Sequence, residues 1–236
     1  MQAMDWSQVQ VMVLDMDGTL VNTEQVITQA ASDTLVALGG KPLPTGYVMP
    51  NMFGTAADLM ADVCADRGVS IPAGGKAQLG AQFEQFYAAH AHCAAPLYDG
   101  VSTCLQAARA RGIRLAVCTN KQQLLAQQGL QAVGILDWME LVTGRDTYGV
   151  AKPSPLPLLH TLSALHVAPE HAVFVGDTHA DAACAQAAGV HFWWFTAGFG
   201  TAQVRDYAIA GAFSHFDELR LQMESSSTST ACMSQK

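Results

Sequence analysis

At 236 residues, 50% of them hydrophobic and 14% charged, the chain can bury a full core and is too apolar for a disordered polymer. With 12 Lys and Arg against 20 Asp and Glu it carries a formal net charge of -8 and no basic cluster, which argues against nucleic acid or an anionic membrane as partner and for small molecules. No apolar run is long enough to cross a bilayer, and residues 1–10 lack a basic segment followed by an apolar one, so a cytoplasmic location is expected.

The first structured stretch is Val11-Met-Val-Leu14, an apolar run rich in β-branched residues that reads as a strand buried on both faces, closed by a turn at Gly18. Asp15 and Asp17 fall at its carboxyl end, where open α/β sheets bind ligands. Alternation on an extended backbone lets both carboxylates face one site while Met16 points away. Crowded carboxylates repel, and a hard divalent cation between them is the cheapest remedy. Taken alone, an Asp-x-Asp-Gly sequence reads as a turn with two solvated acids; the rest of the chain overturns that reading.

Asn22 or Thr23 caps a helix running to about Leu38 and ended by Gly39-Gly40. A Pro- and Gly-bearing loop covers 41–54, and helical patterns follow from Thr55 to Arg67, closed by Gly68, and from Gly75 or Lys76 to about Cys93. The segment 94–100 reads as a linker returning from this all-helical block. Helix and strand then alternate: a helix from Val101 to Arg111, a strand from Ile113 to Cys118, a helix to about Val133 and a short strand near Glu140 to Thr143. Next come a helix from Pro155 to His166 with prolines in its first turn, a strand Ala172 to Val175, a helix Thr178 to Ala188 and a strand Val190 to Phe195. This alternation predicts an α/β fold, a doubly wound parallel sheet with the helical block inserted after the first strand. The expected domains are a core of 1–21 and 98–223, a helical insertion of 22–97, and a Ser- and Thr-rich disordered tail of 224–236.

The six cysteines, Cys64, Cys93, Cys104, Cys118, Cys184 and Cys232, form no Cys-x-x-Cys pair and suit buried thiols in a reducing compartment. His90, His92 and Cys93 lie close together but have no partner cluster to complete a metal site, so they read as surface residues at a helix end.

Later strand ends repeat the pattern of the first. Thr119 ends one strand, Lys152 precedes the Pro-rich helix, and Asp177 with Asp181 one turn later follows another, so all can converge with Asp15 and Asp17 on one crevice. Each has a bland alternative: Thr119 as a helix cap, Lys152 as a solvated cation, Asp181 as a first-turn acid favoured by the helix dipole. Four such coincidences at four strand ends are harder to accept than one site. His179 reads as a helix-surface residue.

Asp15-Met-Asp17-Gly18-Thr19, Thr119-Asn120-Lys121, Lys152-Pro153 and Gly176-Asp177-Thr-His-Ala-Asp181, in that order, resemble the four motifs of the haloacid dehalogenase (HAD) superfamily of phosphohydrolases across nearly the whole chain to about Met223. The resemblance implies a magnesium-dependent phosphatase acting on a small-metabolite phosphomonoester through an aspartyl-phosphate. Asp15 resembles the nucleophile and Asp17 the general acid and base. Mg2+ would be held by Asp15, the Asp17 backbone carbonyl and Asp177, with Asp181 either holding a bound water or orienting Lys152. Gly18, Thr119, the Asn120 N–H and Lys152 would bind the phosphoryl group.

The inserted helices correspond to the family's mobile cap, with hinges at 21–24 and 95–100. Its loop should face the site and offer Lys41, Tyr47, Asn51, Met52, Phe53 and Thr55, of which Lys41 alone is cationic. Thr119-Asn120-Lys121 and the late Ala197-Gly198-Phe199-Gly200 loop look most like phosphoglycolate phosphatases.

A β-phosphoglucomutase-like mutase would share the core motifs but use an Arg and a His in its cap, and no Arg occurs between Leu20 and Asp66. A phosphonate hydrolase would need a Schiff-base lysine, for which Lys41 and Lys76 are the cap candidates. A 2-haloacid dehalogenase needs neither Asp17 nor Asp177, and a noncatalytic module would have lost Asp15 or Asp17. The expected partner is a small phosphate ester bound by a monomer or homodimer.

Overall fold

A computed structural model describes residues 4–50, 52, 55–90, 95–200 and 202–225. Strand β1 (Val11–Leu14) lies inside a six-stranded sheet whose other members are β2 (Arg114–Cys118), β3 (Leu141–Thr143), β4 (Ala172–Gly176), β5 (His191–Phe195) and β6 (Gly211–Phe213). The order is β3-β2-β1-β4-β5-β6, and every pairing is parallel. Val11 is level with Arg114 on one side and Ala172 on the other, so β1, β2 and β4 deliver their carboxyl ends to one place. The direction of winding reverses between β1 and β4, which opens a crevice there.

Both faces are covered, as the continuous apolar runs require. Met12 and Leu14 of β1 join Leu115, Val117, Val173 and Val175 under α4 (Val101–Ala110), α5 (Gln123–Ala132) and α8 (Phe216–Ser225). Val11 and Val13 face the other way and join Ala116, Cys118 and Phe174 under α6 (Leu156–Ala164) and α7 (His179–Ala188). The tail therefore begins later than expected: Glu224 and Ser225 belong to α8, anchored by the buried Leu219 and Met223, while 226–236 lie outside the described residues.

Between β1 and α4 the chain builds α1 (Glu24–Ala37), α2 (Ala56–Arg67) and α3 (Gly75–His90), which share a buried cluster of their own including Ile27, Leu35, Met60, Leu79 and Phe83. The start and stop of α2 act as read, whereas Thr23 makes no side-chain cap to α1. Thr55 Oγ1 accepts the Asp58 N–H at 3.3 Å to start α2, and Gly68 ends it at φ +66, where a side chain would be strained. The two crossings into and out of this unit lie side by side, with Asn22 N–H donating to Pro96 O at 2.9 Å and Tyr98 N–H to Leu20 O at 3.0 Å.

Candidate active site

Asp15 follows β1 without a break; its N–H donates to Val175 O at 2.9 Å, extending the ladder to β4 and fixing the side chain at the crevice. Lys152, on the connection from β3 to α6, places Nζ 2.8 Å from Asp15 Oδ1 and 2.6 Å from Asp181 Oδ1, and donates to Cys118 O at 3.0 Å. Burial opposes its charge, but Asp15 and Asp181 outweigh burial and hold its pKa well above the ordinary lysine value. The other Asp181 oxygen, Oδ2, accepts the Thr178 N–H at 3.0 Å and hydroxyl at 2.6 Å, completing the capping box of α7. One carboxylate therefore caps a helix with one oxygen and tethers Lys152 with the other. Asn120 fixes the same lysine from its backbone: Oδ1 accepts the Lys152 N–H at 2.8 Å, and Nδ2 donates to Lys152 O at 3.1 Å.

Asp177, at the end of β4, is fully buried; Thr19 donates its hydroxyl to Oδ1 at 2.7 Å and Phe199 its N–H to Oδ2 at 2.7 Å. Burial, and then repulsion from Asp181 and Asp15, raise its pKa well above the usual carboxylate range. Burial pushes Asp15 up to about 6 against the pull of Lys152. Each of Asp15, Asp177 and Asp181 offers an oxygen within 4.8 Å of the others. Three carboxylates around one ammonium leave two negative charges uncompensated in a buried place. Asp15 Oδ1 makes no directed hydrogen bond, its close partner among the described residues being the Lys152 ammonium. A hard divalent cation fits this all-oxygen donor set and charge deficit.

The second carboxylate of the first motif has a different setting. Lys121 Nζ donates to both oxygens of Asp17 at 2.6 Å and to Tyr87 Oη at 2.8 Å. Burial works against the Lys121 charge, and Asp17 more than restores it. Gly18 contributes clearance: its N–H is spent on Val21 O at 3.0 Å, and a Cβ there would stand 2.5 Å from Asp177 Oδ2.

These groups open on a cavity of about 90 Å3 beneath α1–α3. Asp15, Asp17, Thr119, Asn120, Lys121 and Lys152 form its floor, and Ile27, Met52, Thr55, Leu59, Phe83 and Tyr87 its roof. Of the loop residues expected there, Met52 and Thr55 arrive. Lys41 is exposed and absent from the lining, and Tyr47 turns away to donate its hydroxyl to Asp66 at 2.7 Å; Asn51 and Phe53 lie outside the described residues. The cations instead come from the sheet side, Lys121 and Arg145, with Glu84 of α3 beside them. Arg145 stands just past β3, so the strand-end criterion that finds Thr119 would have found it. His90 pairs with Asp33 at 2.6 Å, His92 and Cys93 lie outside the described residues, and His179 starts α7 away from the cavity.

The chain is similar to known proteins over most of its length. The profile of the haloacid dehalogenase-like hydrolases matches residues 12–195. The phosphoglycolate phosphatase of Cereibacter sphaeroides is 35% identical over 207 residues, which covers 88% of this chain and 94% of the relative. That of Rhodospirillum rubrum is 35% identical over 211 residues, covering 87% and 86%. The crystal structure of a predicted phosphoglycolate phosphatase from Haemophilus somnus superposes with a TM-score of 0.81 at 25% identity, over 91% of this chain and 98% of that one.

Proposed function

The chain belongs to the haloacid dehalogenase-like hydrolases and is a phosphoric monoester hydrolase, and from that premise we propose that it cleaves small phosphate monoesters of the phosphoglycolate type with Asp15 as nucleophile. The observation that carries this reading is the placement of Asp15 against Lys152 on the cavity floor, with a second carboxylate, Asp17, on the same floor.

An Asp15 oxygen attacks phosphorus, the bond to the leaving oxygen breaks, and Asp17 gives that oxygen a proton, because an alkoxide leaves poorly without one. In the second half Asp17 takes a proton from water, whose oxygen attacks the aspartyl-phosphate and frees inorganic phosphate and Asp15. Lys152, the Thr119 hydroxyl and the Asn120 N–H bind the equatorial oxygens, where charge gathers in the transition state. Asp181 keeps Lys152 in register for that task. A divalent cation, expected to be Mg2+, would be held by Asp15, Asp177 and the Asp17 carbonyl, and it supplies the positive charge that lets a carboxylate approach a phosphate. The helices α1–α3 serve as a cap that excludes water, pivoting on 21–24 and 95–100.

The size and lining of the cavity favour a small leaving group. At about 10–15 Å3 per water-sized group, its volume of about 90 Å3 holds on the order of seven such groups. Ile27, Met52, Leu59 and Phe83 crowd one part of the lining, and Thr55, Glu84, Tyr87 and Arg145 are the polar groups beside them. The buried free thiols Cys64, Cys104, Cys118 and Cys184 suit a reducing cytoplasm, and no helix of the described residues is long and apolar enough to cross a membrane.

Phosphate release from a panel of phosphomonoesters, with and without Mg2+, tests the proposal alongside Asp15→Asn. Metal-dependent release that disappears in the variant is expected, since an amide is a very poor nucleophile. Turnover retained in Asp15→Asn would overturn the mechanism, and no release from any ester would move the reading to the mutase, tested next with β-glucose 1-phosphate.

A further inference from the structure

On the cavity wall the Glu84 carboxylate is gripped from two sides, by Arg145, which also lines the cavity, and by Gln122, which stands behind the lining. Gln122, just past β2, donates from Nε2 to Glu84 Oε2 at 2.6 Å, and Arg145, just past β3, donates from Nη2 to Glu84 Oε1. Two donors from separate sheet-side loops thus grip both oxygens of one carboxylate, the arrangement that planar anion recognition calls for. The occupant rides on α3, three residues from Tyr87, which meets Lys121 and hence Asp17. Side-chain exposure of 23% for Arg145 and 14% for Glu84 makes this a partly desolvated pair, worth more than a solvated surface one.

We infer that Arg145 and Gln122 form the receptor for a carboxylate on the leaving group of the substrate, and that Glu84 fills it as an internal stand-in until substrate displaces it. The inference rests on the phosphatase reading of the cleft and adds to it the residues that select the substrate. Charge supports the exchange. Arg145 and Glu84 both line the cavity that contains Asp15, so an ester carrying a carboxylate beyond its phosphate would meet repulsion from Glu84 if Glu84 stayed, and Arg145 would lack a partner if Glu84 left unreplaced. Replacing one carboxylate by another avoids both costs. A neutral leaving group cannot make the exchange, so selectivity follows from the pair of donors.

The test is the ratio of kcat/KM for phosphoglycolate to that for ethyl phosphate, which differ in the carboxylate. Arg145→Ala should lower this ratio by about 10- to 100-fold, the loss of a charge-assisted hydrogen bond pair, with Arg145→Lys in between because it keeps charge and loses the fork. Glu84→Gln, which preserves shape and weakens the competitor, should raise the ratio. A simple clasp between helix and sheet would shift both esters together; an unchanged ratio in Arg145→Ala and Glu84→Gln overturns the inference. Calorimetric titration of Asp15→Asn with the same two esters, with and without Arg145→Ala, reads selectivity without turnover. Tighter binding of phosphoglycolate that needs Arg145 supports the receptor even if the wild type hydrolyses neither ester, in which case the phosphatase reading alone fails. Equal binding of both esters, or binding of neither, overturns the receptor.

Discussion

Asp181→Ala should uncouple Lys152 from the fold, and the cost follows from three contacts. The side chain is fully buried, holds Lys152 Nζ at 2.6 Å and takes two hydrogen bonds from Thr178 at the start of α7. Breaking a buried ion pair by removing one partner costs roughly 3–5 kcal/mol, and the low end applies because Lys152 keeps Asp15 at 2.8 Å. Loss of the half of the capping box that Asp181 supplies adds about 1 kcal/mol, for a total near 4 kcal/mol. For a chain of this size that is a fall in Tm of about 8–16 °C. Asp181→Asn retains one acceptor oxygen but no charge, so it should fall between the variant and the wild type. Thermal melts followed by circular dichroism, with urea unfolding at fixed temperature, give the difference directly. A Tm for Asp181→Ala within ~3 °C of wild type would refute the reasoning, because it would mean that neither the tether nor the cap contributes as the burial demands.

Other perturbations test other parts of the site. A Cβ on Gly198 would lie 2.2 Å from Gly18 O and 2.4 Å from Asp177 Cβ, neither of which can swing away, so Gly198→Ala should destabilise by about 1–3 kcal/mol and depress metal-dependent turnover by displacing Asp177. Steady-state kinetics and melting together check this. In the absence of metal, Asp15, raised from 3.8 to about 6, binds its proton more tightly folded than unfolded, so its contribution to stability declines as pH rises between those values, and Asp177, also raised, acts in the same direction. Mg2+ must displace these protons, and the rise in Tm on adding it should be larger at about pH 7.5 than at about pH 5. Burial lifts the Cys104 and Cys184 thiols to about 12, so in a C93S/C232S background the native protein should react with a thiol reagent far more slowly than the same protein in denaturant.

Much of this site lies close to the surface of the sequence. The run 11–14 states both that β1 is buried on each side and where it stops, because a strand is a short-range pattern and Gly18 at φ +82 leaves few alternatives for the turn. Asp15, Thr119 and Asp177 each follow a strand directly, and parallel pairing of β1 with β2 and β4 brings such ends together. Thr178 and Asp181 spell out a capping box within four residues.

The residues the sequence did not expose are joined by contacts between distant parts of the chain. Lys121 meets Asp17 across 104 positions, where the ends of β1 and β2 converge, and Arg145 meets Glu84 across 61, where α3 docks near the end of β3. The loop of 41–55 shows the converse: its composition marks it as a loop, yet it does not say that Tyr47 turns to Asp66 while Met52 and Thr55 face the cavity. The Ala197–Gly200 loop reads as a connection, and only packing shows Phe199 N–H held by Asp177 with its ring against the helical unit. Sequence by itself determined the sheet, its polarity and the acids at its carboxyl edge, since each depends on periodicity and turn chemistry within a few residues. The tertiary structure decided which charges face one another across the cavity, because side chains from separate elements become neighbours only when burial of apolar surface fixes how those elements pack.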